Sequence, residues 1–135
     1  MNYLADTHIL IWAITDSPKL SQNAREILLS ENNNIYYSFA NVWEIAIKHS
    51  LHKSNITFSS QCFEEMCKLA GFSFLETKCN HAFMVETLKH ADNAPREHRD
   101  PFDRLLLAQA KAENMLFLTH DELIPFYNES CIVSV

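Results

Sequence analysis

"PFDRLLLAQAKAENMLFLTHD", residues 101–121, contains the change of pattern on which the fold turns. Its first half starts as a helix should. Asp100 just before it is a natural N-cap, Pro101 suits the first helical position, and Asp103 stands where a capping-box acid reaches back. An apolar helical run then extends to Asn114, after which "LFLT" at 116–119 reads as a short strand. A helix passing directly into a strand that ends beside an acid, Asp121, is half of an alternating α/β pattern.

The same alternation extends outward to both ends. "NYLA" is a β run followed by an apolar helix from Thr7 to about Ile14, and Ser21 caps a second helix whose apolar positions are Ala24, Ile27 and Leu28. "ENNN" at 31–34 marks a turn before the strand "IYYS". In the helix "FANVWEIAIKHSL", Val42, Trp43, Ala46 and Ile47 form the apolar face. "SSQCFEEMCKLAG" is a helix closed by Gly71 as the C′ residue. "FSFLE" is a strand and "NHAFMVETLKH" a helix, and after the opening stretch "DELIPF" gives a short helical turn and "CIVSV" a last strand. Strands alternating with helices imply an α/β fold with a parallel sheet covered on both faces. Sites in such sheets gather outside the carboxyl ends of the strands, at the switch in strand order.

The totals agree. A chain of 135 residues with 47% apolar and 21% charged residues fits one soluble domain with a real core, residues 1–135. A single glycine and four prolines leave no room for long flexible linkers, and there is no internal repeat. No apolar run is long enough for a membrane span, and "MNYLADTHILIWAI" lacks a basic leader region and a cleavage site, so a cytoplasmic location is expected. Cys62, Cys67, Cys79 and Cys131 form no CxxC pair and read as reduced residues, without a zinc site. A net charge of −6 argues against gripping nucleic acid by bulk charge. A polyanion must instead meet a bound metal or a local basic patch. Lys48, His49, His52 and Lys53 form one candidate patch, and Arg96, His98, Arg99 and Arg104 another; a solvated face is the simpler reading of both.

Four acids fall at one edge of the expected sheet. Asp6 ends the first strand and Asp121 lies just past the fourth, while Glu44 begins the helix after strand two and Asp103 opens the helix leading into strand four. Each has an ordinary role available. Asp6 can cap a helix, and Glu44 can pair with Lys48 at i,i+4 on the surface. Thr119 and Glu122 resemble a capping box, which would leave Asp121 a first-turn acid. Together, however, they concentrate negative charge. Two like charges about 4 Å apart cost on the order of 4 kcal/mol at an effective dielectric near 20. A hard divalent cation removes that cost, favours carboxylate oxygens and retains waters, which suits phosphoryl chemistry.

"LADTHILIW", "SFANVWEIAIKHSLHK", "HRDPFDRLLLAQAKAEN" and "LFLTHDELI", in that order, resemble the PIN-domain nucleases, and among them the VapC-type toxin ribonucleases of toxin–antitoxin pairs. The likeness runs over essentially the whole chain. It implies a three-layer α/β/α fold on a five-stranded parallel sheet and Mg²⁺- or Mn²⁺-dependent cleavage of RNA. The family's acidic quartet maps onto Asp6, Glu44, Asp103 and Asp121 as the metal-binding and catalytic set, with Asp6, Asp103 and Asp121 holding metal directly or through water and Glu44 orienting the attacking water or completing the metal's shell. Asp100 matches the same motif as cap first and outer acid second. Thr7 and Ser38 match small hydroxyl positions that orient carboxylates or water, with helix capping as the equal alternative. Arg104 is placed to touch substrate phosphate, although a helix-surface role is the simpler one. The resemblance also implies a homodimer and a small antitoxin protein that covers the site. His52 departs from the pattern, standing where relatives often carry glycine.

Competing families fit less well. A haloacid-dehalogenase-like phosphatase needs a second aspartate two residues after Asp6, and His8 stands there. A receiver domain needs a mid-chain acid and a late lysine that do not fit. The remaining alternatives are a non-catalytic PIN-like module that binds metal or a partner, and a housekeeping RNA-processing nuclease.

Overall fold

The computed structural model describes residues 1–52 and 55–135. Five strands form one parallel sheet: β1 (Asn2–Ala5), β2 (Asn34–Ser38), β3 (Ser73–Leu75), β4 (Leu116–Thr119) and β5 (Ile132–Ser134). Their order is β3-β2-β1-β4-β5. The chain therefore starts at the centre, builds outward through β2 and β3, and returns to add β4 and β5 on the other side. The order reverses between β1 and β4, where Ala5 is in register with Leu118.

Among the described residues, six helices cover this sheet: α1 (Thr7–Ile14), α2 (Gln22–Leu29), α3 (Phe39–Leu51), α4 (Ser60–Leu69), α5 (Cys79–Val85) and α6 (Pro101–Ala112). Alternation along the strands divides the core in two. Tyr3, Ala5, Ile35, Tyr37 and Leu118 point to one face and pack with Ile9, Leu10, Ala24, Ile45, Phe63 and Cys67. Leu4 and Phe117 point to the other and pack with Leu88, Leu106, Leu107, Ala110 and Tyr127. The result is the expected three-layer α/β/α arrangement.

Local signals act largely as their chemistry dictates. Ser21, Ser59 and Asp100 cap α2, α4 and α6 with their side chains. Gly71 follows α4 at φ +86°, the left-handed conformation that needs no Cβ, and its amide bonds the Lys68 carbonyl. His52 takes the same role after α3 at φ 52°, so the departure from glycine falls on a left-handed turn. All four cysteines are free. No helix among the described residues is long and apolar enough to cross a membrane.

Two elements differ from the sequence reading. Helix α5 stops at Val85 rather than continuing to His90, because the chain turns to bury Leu88 and to bring the His90 ring within 2.8 Å of the Leu123 carbonyl. Helix α3 has the expected limits but a different inner face. Ala40, Asn41, Glu44 and Ile45 are buried, whereas Trp43 is half exposed, stacked on Phe39 and edge-on to Phe102. At 100° per residue, turning Asn41 and Glu44 inward to meet α1 rotates Trp43 outward.

Candidate active site

The carboxyl edge of the sheet opens into a cavity of about 260 Å³ lined by Asp6, His8, Trp12, Glu44, Asp100, Asp103, His120 and Asp121. It lies at the reversal of strand order. All four expected acids line it, and Asp100 makes a fifth.

Asp6 is the hinge between β1 and α1. Its amide donates to the Leu118 carbonyl, and one carboxylate oxygen accepts from the Ile9 amide as the α1 N-cap. The other oxygen accepts a short hydrogen bond from the Thr119 hydroxyl. Asp6 is only 4% exposed. Burial pushes its carboxyl up to about 6, against the lowering influence of Thr119 and Ile9, and the negative charge of Asp103 adds to the rise.

Glu44 is held with equal care. Its Oε1 accepts from the Thr7 hydroxyl at 2.6 Å and its Oε2 from Lys48 Nζ at 2.5 Å. Asn41 Nδ2 in turn donates to Thr7 Oγ1 at 3.0 Å, so α3 and α1 are joined through the acid. The Glu44–Lys48 pair is present as expected from i,i+4 spacing, but Glu44 is buried at 2% exposure, not a surface acid. Thr7 thus orients a carboxylate. Ser38 does not: its hydroxyl caps the Ala40 amide and donates to Gln109 of α6 at 2.6 Å.

Asp100 accepts from the amides of Phe102 and Asp103 and fixes the start of α6. Asp103 does not reach back to the cap. Its Oδ2 accepts a long hydrogen bond from His98 Nε2 at 3.4 Å, and burial raises its carboxyl against the lowering influence of His98, with the Asp100 and Glu44 charges adding to the rise. Asp121 is not the first-turn acid of a box formed by Thr119 and Glu122. Thr119 is drawn inward to Asp6, its oxygen accepts the Asp121 amide, and Asp121 Oδ1 accepts from the Leu123 amide at 2.7 Å. The helical turn that follows is 3-10, at Ile124–Tyr127.

At the Asp103–Asp121 side of this ring, ligand-type atoms of His98, Asp103 and Asp121 lie within 4.8 Å of one another, and Asp6 and Glu44 fall outside that grouping. His98 was expected in a basic surface patch but is 6% exposed, and only its place in the "HRDPFDR" stretch hinted at the site. The patch disperses otherwise. Arg99 pairs with Glu97 on the surface, and Arg104 keeps a buried Nε with no hydrogen-bond partner among the described residues. In the other patch Lys48 is committed to Glu44, His49 and His52 rings lie 6.3 Å apart, and Lys53 is outside the described residues. His8, Trp12 and His120, singled out by no sequence signal, form an aromatic row along one wall, with ring centroids 5.8 and 5.3 Å apart.

Five carboxylates around one cavity, two of them with raised affinity for protons, form a donor set suited to a divalent cation. Comparison with known proteins bears on this arrangement. The fold is similar to the VapBC2 complex of Rickettsia felis bound to a DNA fragment from its promoter, with a TM-score of 0.65 and 20% identity over 100% of this chain and 98% of that one. It is also similar to a toxin–antitoxin complex from Klebsiella pneumoniae, with a TM-score of 0.59 and 18% identity over 98% and 96% of the two chains. No curated protein matches the sequence. The PIN domain family matches residues 3–127, nearly the whole length over which the sheet and its acidic edge are built, and the chain belongs to that family.

Proposed function

We propose that the protein is a metal-dependent ribonuclease, the toxin of a toxin–antitoxin pair, that hydrolyses RNA phosphodiester bonds at the acidic cavity. The observation that carries this reading is the convergence of Asp6, Glu44, Asp103 and Asp121 on one cavity at the reversal of strand order. Family membership supports nuclease chemistry, and the two structural relatives, both toxin–antitoxin complexes, support a partner antitoxin.

A divalent cation, Mg²⁺ or Mn²⁺, supplies neutralisation of the phosphodiester and an acidified water when bound. The chain's own groups supply the rest. Among the described residues, Asp103 and Asp121 each keep a carboxylate oxygen free of protein hydrogen bonds and would serve as direct ligands. Asp6 holds the inner end of the cavity through Thr119 and the α1 N-terminus. Glu44, locked by Thr7 and Lys48, orients the attacking water. Arg104, next to Asp103 in the first turn of α6, is assigned to substrate phosphate through its guanidinium. The stacked Phe39–Trp43 pair beside Phe102 offers an apolar surface for a second copy in a homodimer.

The test compares the purified wild type with Asp121→Asn and Asp6→Asn on defined tRNA and rRNA substrates. Wild-type cleavage that needs Mg²⁺ or Mn²⁺ and stops with EDTA, together with losses of about 100-fold or more in both variants, is expected. Cleavage at wild-type rate by either variant removes that acid from the site. A wild type that binds the cation and cleaves no RNA supports the non-catalytic module instead.

A further inference from the structure

We infer that His98 is a nitrogen ligand of the cation site, completing a mixed His98–Asp103–Asp121 set, with Tyr127 as the positioning residue that aims the imidazole. The inference rests on the cation-binding reading above and adds a ligand of a different kind from the acids.

The imidazole is held closely at one nitrogen and only by a long contact at the other. His98 Nδ1 lies 2.7 Å from the Tyr127 hydroxyl, and the two rings meet edge to face at 88°. Both side chains are buried, and the His90 ring packs against both, 4.7 Å from Tyr127 and 5.9 Å from His98, itself tied to the Leu123 carbonyl. A ring nitrogen held by a buried hydroxyl fixes the orientation of the second nitrogen, the usual outer support of a metal-bound histidine. That second nitrogen, Nε2, faces Asp103 Oδ2 at 3.4 Å. A full-strength charge-assisted hydrogen bond closes to about 2.7–2.9 Å, so this hydrogen bond and ion pair is a long one that an ion between the two groups could replace.

The acids divide accordingly. Asp6 and Glu44 have both oxygens engaged by protein donors: Ile9 and Thr119 for one, Thr7 and Lys48 for the other. Asp103 and Asp121 do not, and their oxygens with His98 Nε2 lie within 4.8 Å. Ligands about 2.1 Å from a shared centre lie at most about 4.2 Å apart, so a small closure brings all three to coordinating distance. A nitrogen in the set favours first-row transition metals over Mg²⁺, because imidazole suits the softer ions.

The experiment uses Mn²⁺ as the probe and the intact protein. Titration followed by loss of the free-ion electron paramagnetic resonance signal measures binding, and electron spin echo modulation of the bound ion detects directly coordinated nitrogen. Wild type is expected to bind Mn²⁺ with nitrogen modulation that responds to isotope labelling of histidine nitrogen. His98→Gln should abolish the modulation and weaken Mn²⁺ by about tenfold or more, with a smaller change for competing Mg²⁺. Tyr127→Phe, which keeps the ring stack, should retain the modulation and weaken binding by about tenfold, and it answers the question if His98→Gln does not fold. His8→Gln and His120→Gln, which alter the imidazoles lining the cavity, should leave the modulation intact. Mn²⁺ bound without nitrogen modulation overturns the inference and leaves the carboxylate site standing. Modulation lost in His8→Gln or His120→Gln also overturns it. Absence of Mn²⁺ binding in the wild type overturns both this inference and the cation reading it rests on.

Discussion

At the scale of single residues, Asp6 shows what the site costs the fold. Its carboxyl titrates near 6 instead of the ordinary 3.8, because burial disfavours its charged form more than Thr119 and Ile9 favour it. A folded-state pKa above the unfolded one means the group favours folding below about 3.8, and that contribution disappears as pH rises through about 6. Asp6→Asn removes the charge and keeps an N-cap residue of similar quality. Measured by urea unfolding in the presence of EDTA, the variant should gain on wild type steadily between pH 4 and 7, by on the order of 2–3 kcal/mol across the window. It should at the same time lose cleavage. A stability difference that stays flat with pH would show that the Asp6 charge is not held at a cost.

At the scale of elements, α3 is the piece whose placement matters most. Asn41 accepts the Ser38 amide through Oδ1 and donates through Nδ2 to Thr7, so one amide side chain closes the α3 capping box and links it to α1. Asn41 is fully buried. Asn41→Ala leaves a cavity and an unpaired Ser38 amide, and should lower stability by about 2–3 kcal/mol in denaturant unfolding. It should also lower activity, because Thr7 and through it Glu44 lose their support. Loss of stability without loss of activity would separate α3 docking from Glu44 orientation. The limits of α3 were legible in sequence because "FANVWEIAIKHSL" carries apolar residues at helical spacing after the strand "IYYS", although the left-handed stop at His52 was not. Its inner face was not. Hydrophobicity selected Val42 and Trp43, but the acid and amide that bind Thr7 turned the helix by one residue. Similarly, strand ends gave Asp6 and Asp121 directly, since their positions follow from chain order alone. His98 escaped because an imidazole between two charged neighbours looks like surface, and only the distant Tyr127 makes it interior.

At the scale of the whole molecule, a chain of net charge −6 keeps five acids at one cavity, two of which resist ionisation. Protons and a divalent cation therefore compete for the same edge. A ligand that binds the folded chain alone stabilises it by RT ln(1 + [L]/Kd), about 2.7 kcal/mol at a hundred times Kd. Mn²⁺ or Mg²⁺ should accordingly raise the melting temperature by several degrees at pH 7.5, an effect EDTA reverses and NaCl of equal ionic strength does not reproduce. Asp6 with its pKa near 6 and Asp103 with a raised one hold more protons at pH 5.5, so the same cation concentration should give a smaller rise there. Calorimetry at the two pH values, with and without cation, measures the difference directly. In Asp121→Asn the cation-induced rise should shrink at both pH values, because one direct ligand is lost while Asp6 still titrates. A rise equal at the two pH values in wild type would mean that the ion binds away from the acids whose protons it should displace.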